Sequence, residues 1–248
     1  MVVLPIFVCS VAVPVHAERI DAKKTTITVS AAASLVNVYT EIGKQFEKAN
    51  PLIKVRFNFA SSSSLVSQIQ SGAPTDVFAA ADLTSFDKLL TSGNVVKTPK
   101  VFARNSMQLV VKPGNPLGIA SIADLNKASV VSMCAKTAPC GAYAATVLSR
   151  YGVVISESKI TRGIDATATL NAVSTGDADA AIVYATDALS AKKSVATISI
   201  PAGKNVTALY GIGVVRGSRN SKQAEAFISF VLSPAGQKVL NIFGFLAP

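Results

Sequence analysis

From residue 25 onward the chain alternates short runs rich in β-branched residues with longer amphipathic stretches. Nothing else in the sequence constrains the fold as tightly. Strands are expected over 25–29, 53–59, 76–80, 107–111, 129–133, 180–184, 195–200 and 209–215. Helices are expected over 35–49, 65–70, 83–91, 121–125, 141–151, 166–174, 221–232 and 234–243. Asn50-Pro51, Ser71-Gly72, Thr175-Gly176 and the cluster Lys112-Pro113-Gly114-Asn115-Pro116 punctuate them. Strands alternating with helices of this size predict an α/β architecture, mainly parallel sheets covered by helices. A length of 248 residues suits one large domain or two lobes, at roughly 100–130 residues per lobe.

Composition removes most of the common hydrolytic chemistries. The one histidine, His16, lies in residues 1–17, an apolar segment without Asp, Glu, Lys or Arg that ends in Val15-His16-Ala17. We read that segment as an export signal cut after Ala17, although no basic residue precedes its apolar run. Val8 fits poorly before a lipid-anchored Cys9. A chain without its histidine has no Ser-His-Asp triad, Cys-His pair or histidine zinc site. The formal charge is +10, but Lys44, Lys48, Lys54, Arg56, Lys88 and the rest are scattered. With aromatics at only 6% there is no basic, stacking surface for nucleic acid. Cys134 and Cys140 remain, either bridged in an oxidising compartment or as two free thiols.

The informative positions are strand-to-helix junctions, where open α/β sheets bind ligands. Ser34 follows Ala31-Ala32-Ala33, four serines fill 61–64, Thr137-Ala138-Pro139-Cys140-Gly141 leads into a helix, and Ile164-Asp165-Ala166 enters another. Each supplies backbone N–H groups and the positive end of a helix dipole, which suit an anion. No phosphate-loop lysine pattern and no G-x-G-x-x-G loop is present, which argues against a nucleotide. Each serine is equally explained as an ordinary helix N-cap, worth about 1 kcal/mol, and spacing alone leaves both readings open.

Ala31-Ala32-Ala33-Ser34-Leu35, Phe59-Ala60-Ser61-Ser62-Ser63, Gly72-Ala73-Pro74-Thr75-Asp76-Val77-Phe78 and Ala81-Asp82 follow one another in an order that resembles the periplasmic molybdate-binding protein family. Pro139-Cys140-Gly141, Ile182-Val183-Tyr184-Ala185-Thr186-Asp187-Ala188, Leu232-Ser233-Pro234-Ala235-Gly236 and Phe243-Gly244-Phe245 continue the likeness, which spans 25–247. The resemblance implies a two-lobed periplasmic-binding-protein-like (type II) fold with the ligand between lobes. It also implies capture of molybdate and tungstate for the membrane permease subunits of an ABC importer. The expected protein is an exported monomer, periplasmic or at the cell surface, with no cofactor, no enzymatic activity and no nucleic-acid partner.

Carried over by motif, Ser34 and Ser62 would bind the oxyanion through hydroxyl and backbone N–H, and Cys140 and Ala166 through backbone N–H. Cys140 stands where the family often has Ala. Tyr184 would donate its phenol, so the metal centre would be held only through its oxygens. None of the five carries an acid, and a fully ionised oxyanion offers only acceptors. Phosphate bearing a proton is therefore disfavoured, unless Asp165 points inward. Chain crossings expected near 103–107 and 207–211 give lobe 1 as 25–104 plus 207–248 and lobe 2 as 105–206. The rivals are a receptor for sulfate or another oxyanion, and a serine hydrolase built on Ser62. Against the hydrolase, no Ser-x-x-Lys spacing occurs in 61–64.

Overall fold

A computed structural model describes residues 24–248, so the expected export signal over 1–17, with Cys9 and His16, lies outside the described residues. The chain begins β1 (Thr25–Ala32), α1 (Val36–Ala49), β2 (Ile53–Ala60), α2 (Ser62–Gln70), β3 (Val77–Ala80), α3 (Thr84–Thr91) and β4 (Lys100–Val111). It continues β5 (Val131–Cys134), α4 (Pro139–Tyr151), β6 (Ile160–Gly163), α5 (Ala166–Ser174), β7 (Ala180–Tyr184) and α6 (Ala185–Ser190). The last elements are β8 (Ala196–Ile198), β9 (Thr207–Val214), α7 (Ser221–Leu232) and α8 (Pro234–Ile242).

This is the expected α/β alternation, with four departures. The strand expected from 107 begins at Lys100, because the polar run Arg104-Asn105-Ser106 hides a segment held by backbone pairing to β9. The sequence reading does not include β6, a four-residue edge strand paired only with β5. Nor does it include α6, which follows β7 without a loop, Tyr184 serving as its N-cap. The residues expected as a helix over 121–125 form a 3₁₀ turn, Ile122–Lys127, closed by a Ser121–Asp124 capping box.

The strands join in the order β2-β1-β3-β9-β4-β7-β5-β6, with β8 on β4. Outer pairs are parallel (β1 with β2 and β3, β5 with β6 and β7), whereas β9 and β4 run antiparallel through the middle. β4 changes partner along its length. Residues 100–106 pair with β9, and Met107–Val111 with β7 and β8.

α1 shows why these sequences fold as they do. Val38, Tyr39, Ile42 and Phe46 recur at helical spacing and are fully buried against the sheet. Tyr39 meets Phe57, Phe102 and Phe227 with ring centroids within 6.1 Å. α4 starts on Pro139 and stops at Gly152, whose φ of 65° is the left-handed cap that glycine adopts without strain. Glycine at 141 has another reason, since a Cβ there would collide with the Ala135 carbonyl oxygen.

Cys134, ending β5, and Cys140, in the first turn of α4, form a disulfide with Cα atoms 5.8 Å apart. It closes a short loop, so its removal in Cys134→Ser lowers the unfolding free energy by only about 2 kcal/mol. Urea denaturation of the variant beside the oxidised protein measures this directly. Among the described residues no helix is long and apolar enough to cross a membrane.

Candidate ligand-binding cleft

The C-terminal ends of the strands meet a ring of helix starts. Ser34 lies in a short 3₁₀ turn (Ala33–Leu35) leading into α1, and Ser62 is the first residue of α2. Cys140 is the second residue of α4, Ala166 the first of α5, and Tyr184 the N-cap of α6. Each element is thus met at its N-terminus, where N–H groups have no intrahelical partner and the dipole favours negative charge.

All five residues line one small, narrow cleft, together with Ala32, Ala33, Ser61, Ala81, Pro139 and Asp165. The structure therefore brings every candidate together, and all five are almost completely buried. Among the described residues, no group of three or more His, Cys, Asp or Glu comes together as a metal site would need.

The hydroxyls differ in their partners. Ser62 Oγ accepts the Ala81 N–H at 3.0 Å, which leaves its own hydrogen free to donate. Ser34 Oγ lies 2.9 Å from the Tyr210 hydroxyl. The Tyr184 hydroxyl is buried and has no hydrogen-bond partner among the described residues. Burial, with the neighbouring Tyr210 adding to it, pushes the Tyr184 phenol well above its ordinary value, so it keeps its proton. Ser61, by contrast, is the N-cap of α2, and its Oγ accepts from the Ser64 N–H at 3.2 Å.

Asp165 does line the cleft. Its Oδ1 is committed to the start of α5, accepting the Ala168 N–H at 2.9 Å, so one carboxylate oxygen is already satisfied. Sequence reasoning missed the roles of Ala81 and Tyr210. Ala81 stands 19 residues from Ser62, and Tyr210 stands 176 from Ser34; no local pattern carries either contact.

A fold of helix starts around one cleft, with donors and, among the described residues, no reactive dyad, is the arrangement of a receptor for a solute. Residues 27–246 match the family model of bacterial extracellular solute-binding proteins, and the chain belongs to that family. It is a solute-binding protein, not an enzyme, and the hydrolase reading falls. The chain is similar to the molybdate-binding protein ModA of Mycobacterium tuberculosis H37Rv, 37% identical over 224 residues, 90% of this chain and 85% of that one. Its fold matches the periplasmic molybdate-binding protein of Azotobacter vinelandii with a TM-score of 0.80 at 19% identity, over 90% of this chain and 99% of that one. The sulfate-binding protein SubI of M. tuberculosis H37Rv matches with a TM-score of 0.80 at 18% identity, over 89% and 86%. At those identities the two structures speak for the fold.

Proposed function

We propose that this protein captures molybdate, and tungstate with it, outside the cytoplasm and hands it to the permease subunits of an ABC importer, acting as an exported monomer without a cofactor. The observation that carries the reading is the Tyr184 hydroxyl, a buried donor with no partner in a cleft where Ser62 also has a hydrogen to give. A buried, unpaired donor costs about 1–3 kcal/mol and calls for an acceptor. A fully ionised oxyanion supplies acceptors on every side and brings no hydrogen of its own. The names of the M. tuberculosis relative and the Azotobacter structure agree with this chemistry.

The binding residues in this reading are Ser34, Ser62, Cys140, Ala166 and Tyr184, with no protein atom on the metal itself. Lobe 1 (25–104 plus 207–248) brings Ser34 and Ser62, and lobe 2 (105–206) brings the other three. The change of partner within β4 between Ser106 and Met107 supports that division. Strands crossing there absorb the hinge motion that closes the lobes over the ligand.

Titration calorimetry of residues 18–248 with molybdate, tungstate, sulfate and phosphate tests this. Molybdate and tungstate bind tightly, and sulfate, of the same charge but smaller, binds far more weakly. Sulfate binding first would move the protein to another importer. In the same assay Ser62→Ala weakens molybdate binding about 10–150-fold, because a donor to a charged group is lost.

A further inference from the structure

Ser34 is a useful donor only if its hydrogen points into the cleft, and its neighbours decide that. Tyr210 on β9 and Asn105 on β4 lie side by side beneath it, both buried. The Asn105 amide is oriented by its own next residue: Oδ1 accepts the Ser106 N–H at 2.9 Å. Nδ2 therefore faces the other way and donates to Thr186 Oγ1 at 2.9 Å and to the Tyr210 hydroxyl oxygen at 3.4 Å. Tyr210 thus meets a donor on one side and Ser34 Oγ, at 2.9 Å, on the other. Only one direction satisfies this chain. Tyr210 gives its hydrogen to Ser34, and Ser34 turns its own outward. In the reverse direction the Tyr210 hydrogen would point at an N–H group and find no acceptor.

We propose that Asn105 and Tyr210 are positioning residues that fix the Ser34 hydroxyl as a donor to the cleft and so select against oxyanions that carry a proton. The inference rests on the oxyanion-binding reading. Ser62 has the same polarity by a means no side-chain substitution reverses, since its Oγ accepts a backbone N–H. Burial pushes the Tyr210 phenol far above its ordinary value, so it has a hydrogen to give at any working pH. A hydrogen phosphate can place its own hydrogen on neither of these two outward O–H groups, whereas a fully ionised oxyanion meets a donor at both.

Asn105→Asp is the decisive variant. It keeps the shape and the bond from Ser106 N–H but replaces the donor facing Tyr210 by an acceptor. Tyr210 then donates to residue 105, Ser34 donates to Tyr210, and a lone pair of Ser34 faces the ligand. We expect molybdate affinity to fall about 30-fold or more in the Ser34 background and about tenfold less than that in Ser34→Ala, where only the added charge acts. Titrations above neutral pH, where phosphate is the monohydrogen dianion, compare two ligands of equal charge. The preference for molybdate over phosphate should fall about tenfold.

An equal molybdate loss in both backgrounds overturns the proposal, as does an unchanged preference. Circular dichroism and thermal melting establish that the variants fold. Should Asn105→Asp fail to fold, Tyr210→Phe cuts the same chain while keeping the ring, and its few-fold loss must vanish in Ser34→Ala; a loss that persists there overturns the proposal too. Wild-type protein that binds none of the four oxyanions sinks the functional reading itself, and this inference with it.

Discussion

Tyr184→Phe makes the ligand-free protein more stable and its molybdate complex weaker. The ring stays where it is, packed edge-on against Tyr143 and Tyr210 with centroids 6.3 and 5.8 Å away. Only the hydroxyl goes, and in this fold that group is buried without a partner among the described residues. Deleting it relieves a desolvation cost of about 1–2 kcal/mol. In the complex the same hydroxyl donates to a doubly charged anion, so its loss costs about 1.5–3 kcal/mol, or roughly 10–150-fold in Kd. Melting curves of both proteins with and without molybdate, and a titration of each, are enough: the apo midpoint rises while the molybdate-induced shift shrinks. A variant that melts lower and binds weaker would make the hydroxyl a packing element. One that binds as tightly as wild type would remove Tyr184 from the site. Opposite signs in one variant distinguish a residue held ready for ligand from one that merely holds the core together.

The α/β rhythm was legible because the chain repeats it over more than two hundred residues (248 in all), and buried strands such as Ala180–Tyr184 read as unbroken apolar runs. What escaped was set by partners distant in sequence. Lys100–Ser106 is a strand because β9 pairs with it, not because its own residues alternate. The site was legible at its junctions, where small residues and serines open helices, and the family resemblance named which of them matter. The second row of contacts was not. Ser34 needs Tyr210 from the far end of the chain, and Asn105 meets Thr186 across 81 residues. Such contacts exist only once strands crossing between the two half-sheets bring the ends together. Asp165 illustrates the converse: its proximity to Ala166 is plain in the sequence, but only the cap on Ala168 shows where its carboxylate turns.

The largest pH effect is expected from Asp187, beside the site in the first turn of α6. Its carboxyl is buried, one oxygen has no hydrogen-bond partner among the described residues, and burial, with Asp165 adding a little, pushes its pKa from 3.8 up to about 7. The Tyr184 N–H opposes this without cancelling it. Because the folded pKa is the higher one, the folded state holds a proton that the unfolded chain has already lost between those two values. The stability linked to Asp187 is thus full at pH values below about 4, falls as pH rises through 7, and is flat beyond. The difference amounts to something on the order of 4 kcal/mol. Asn has the shape of the protonated acid and keeps an oxygen for the Tyr184 N–H. Asp187→Asn should therefore match wild type near pH 4 and exceed it by several kcal/mol near pH 8. Wild type alone cannot reveal this, because Glu47, Asp124, Glu157 and Asp179, whose values are lowered by hydrogen bonds and nearby lysine or arginine, lose stability on acidification. Subtracting the two proteins' denaturation free energies at each pH removes those shared contributions. A difference that stays constant from pH 4 to pH 8 would mean that Asp187 is already ionised in the fold, and Lys44, which lines the same pocket, is the cation to substitute next.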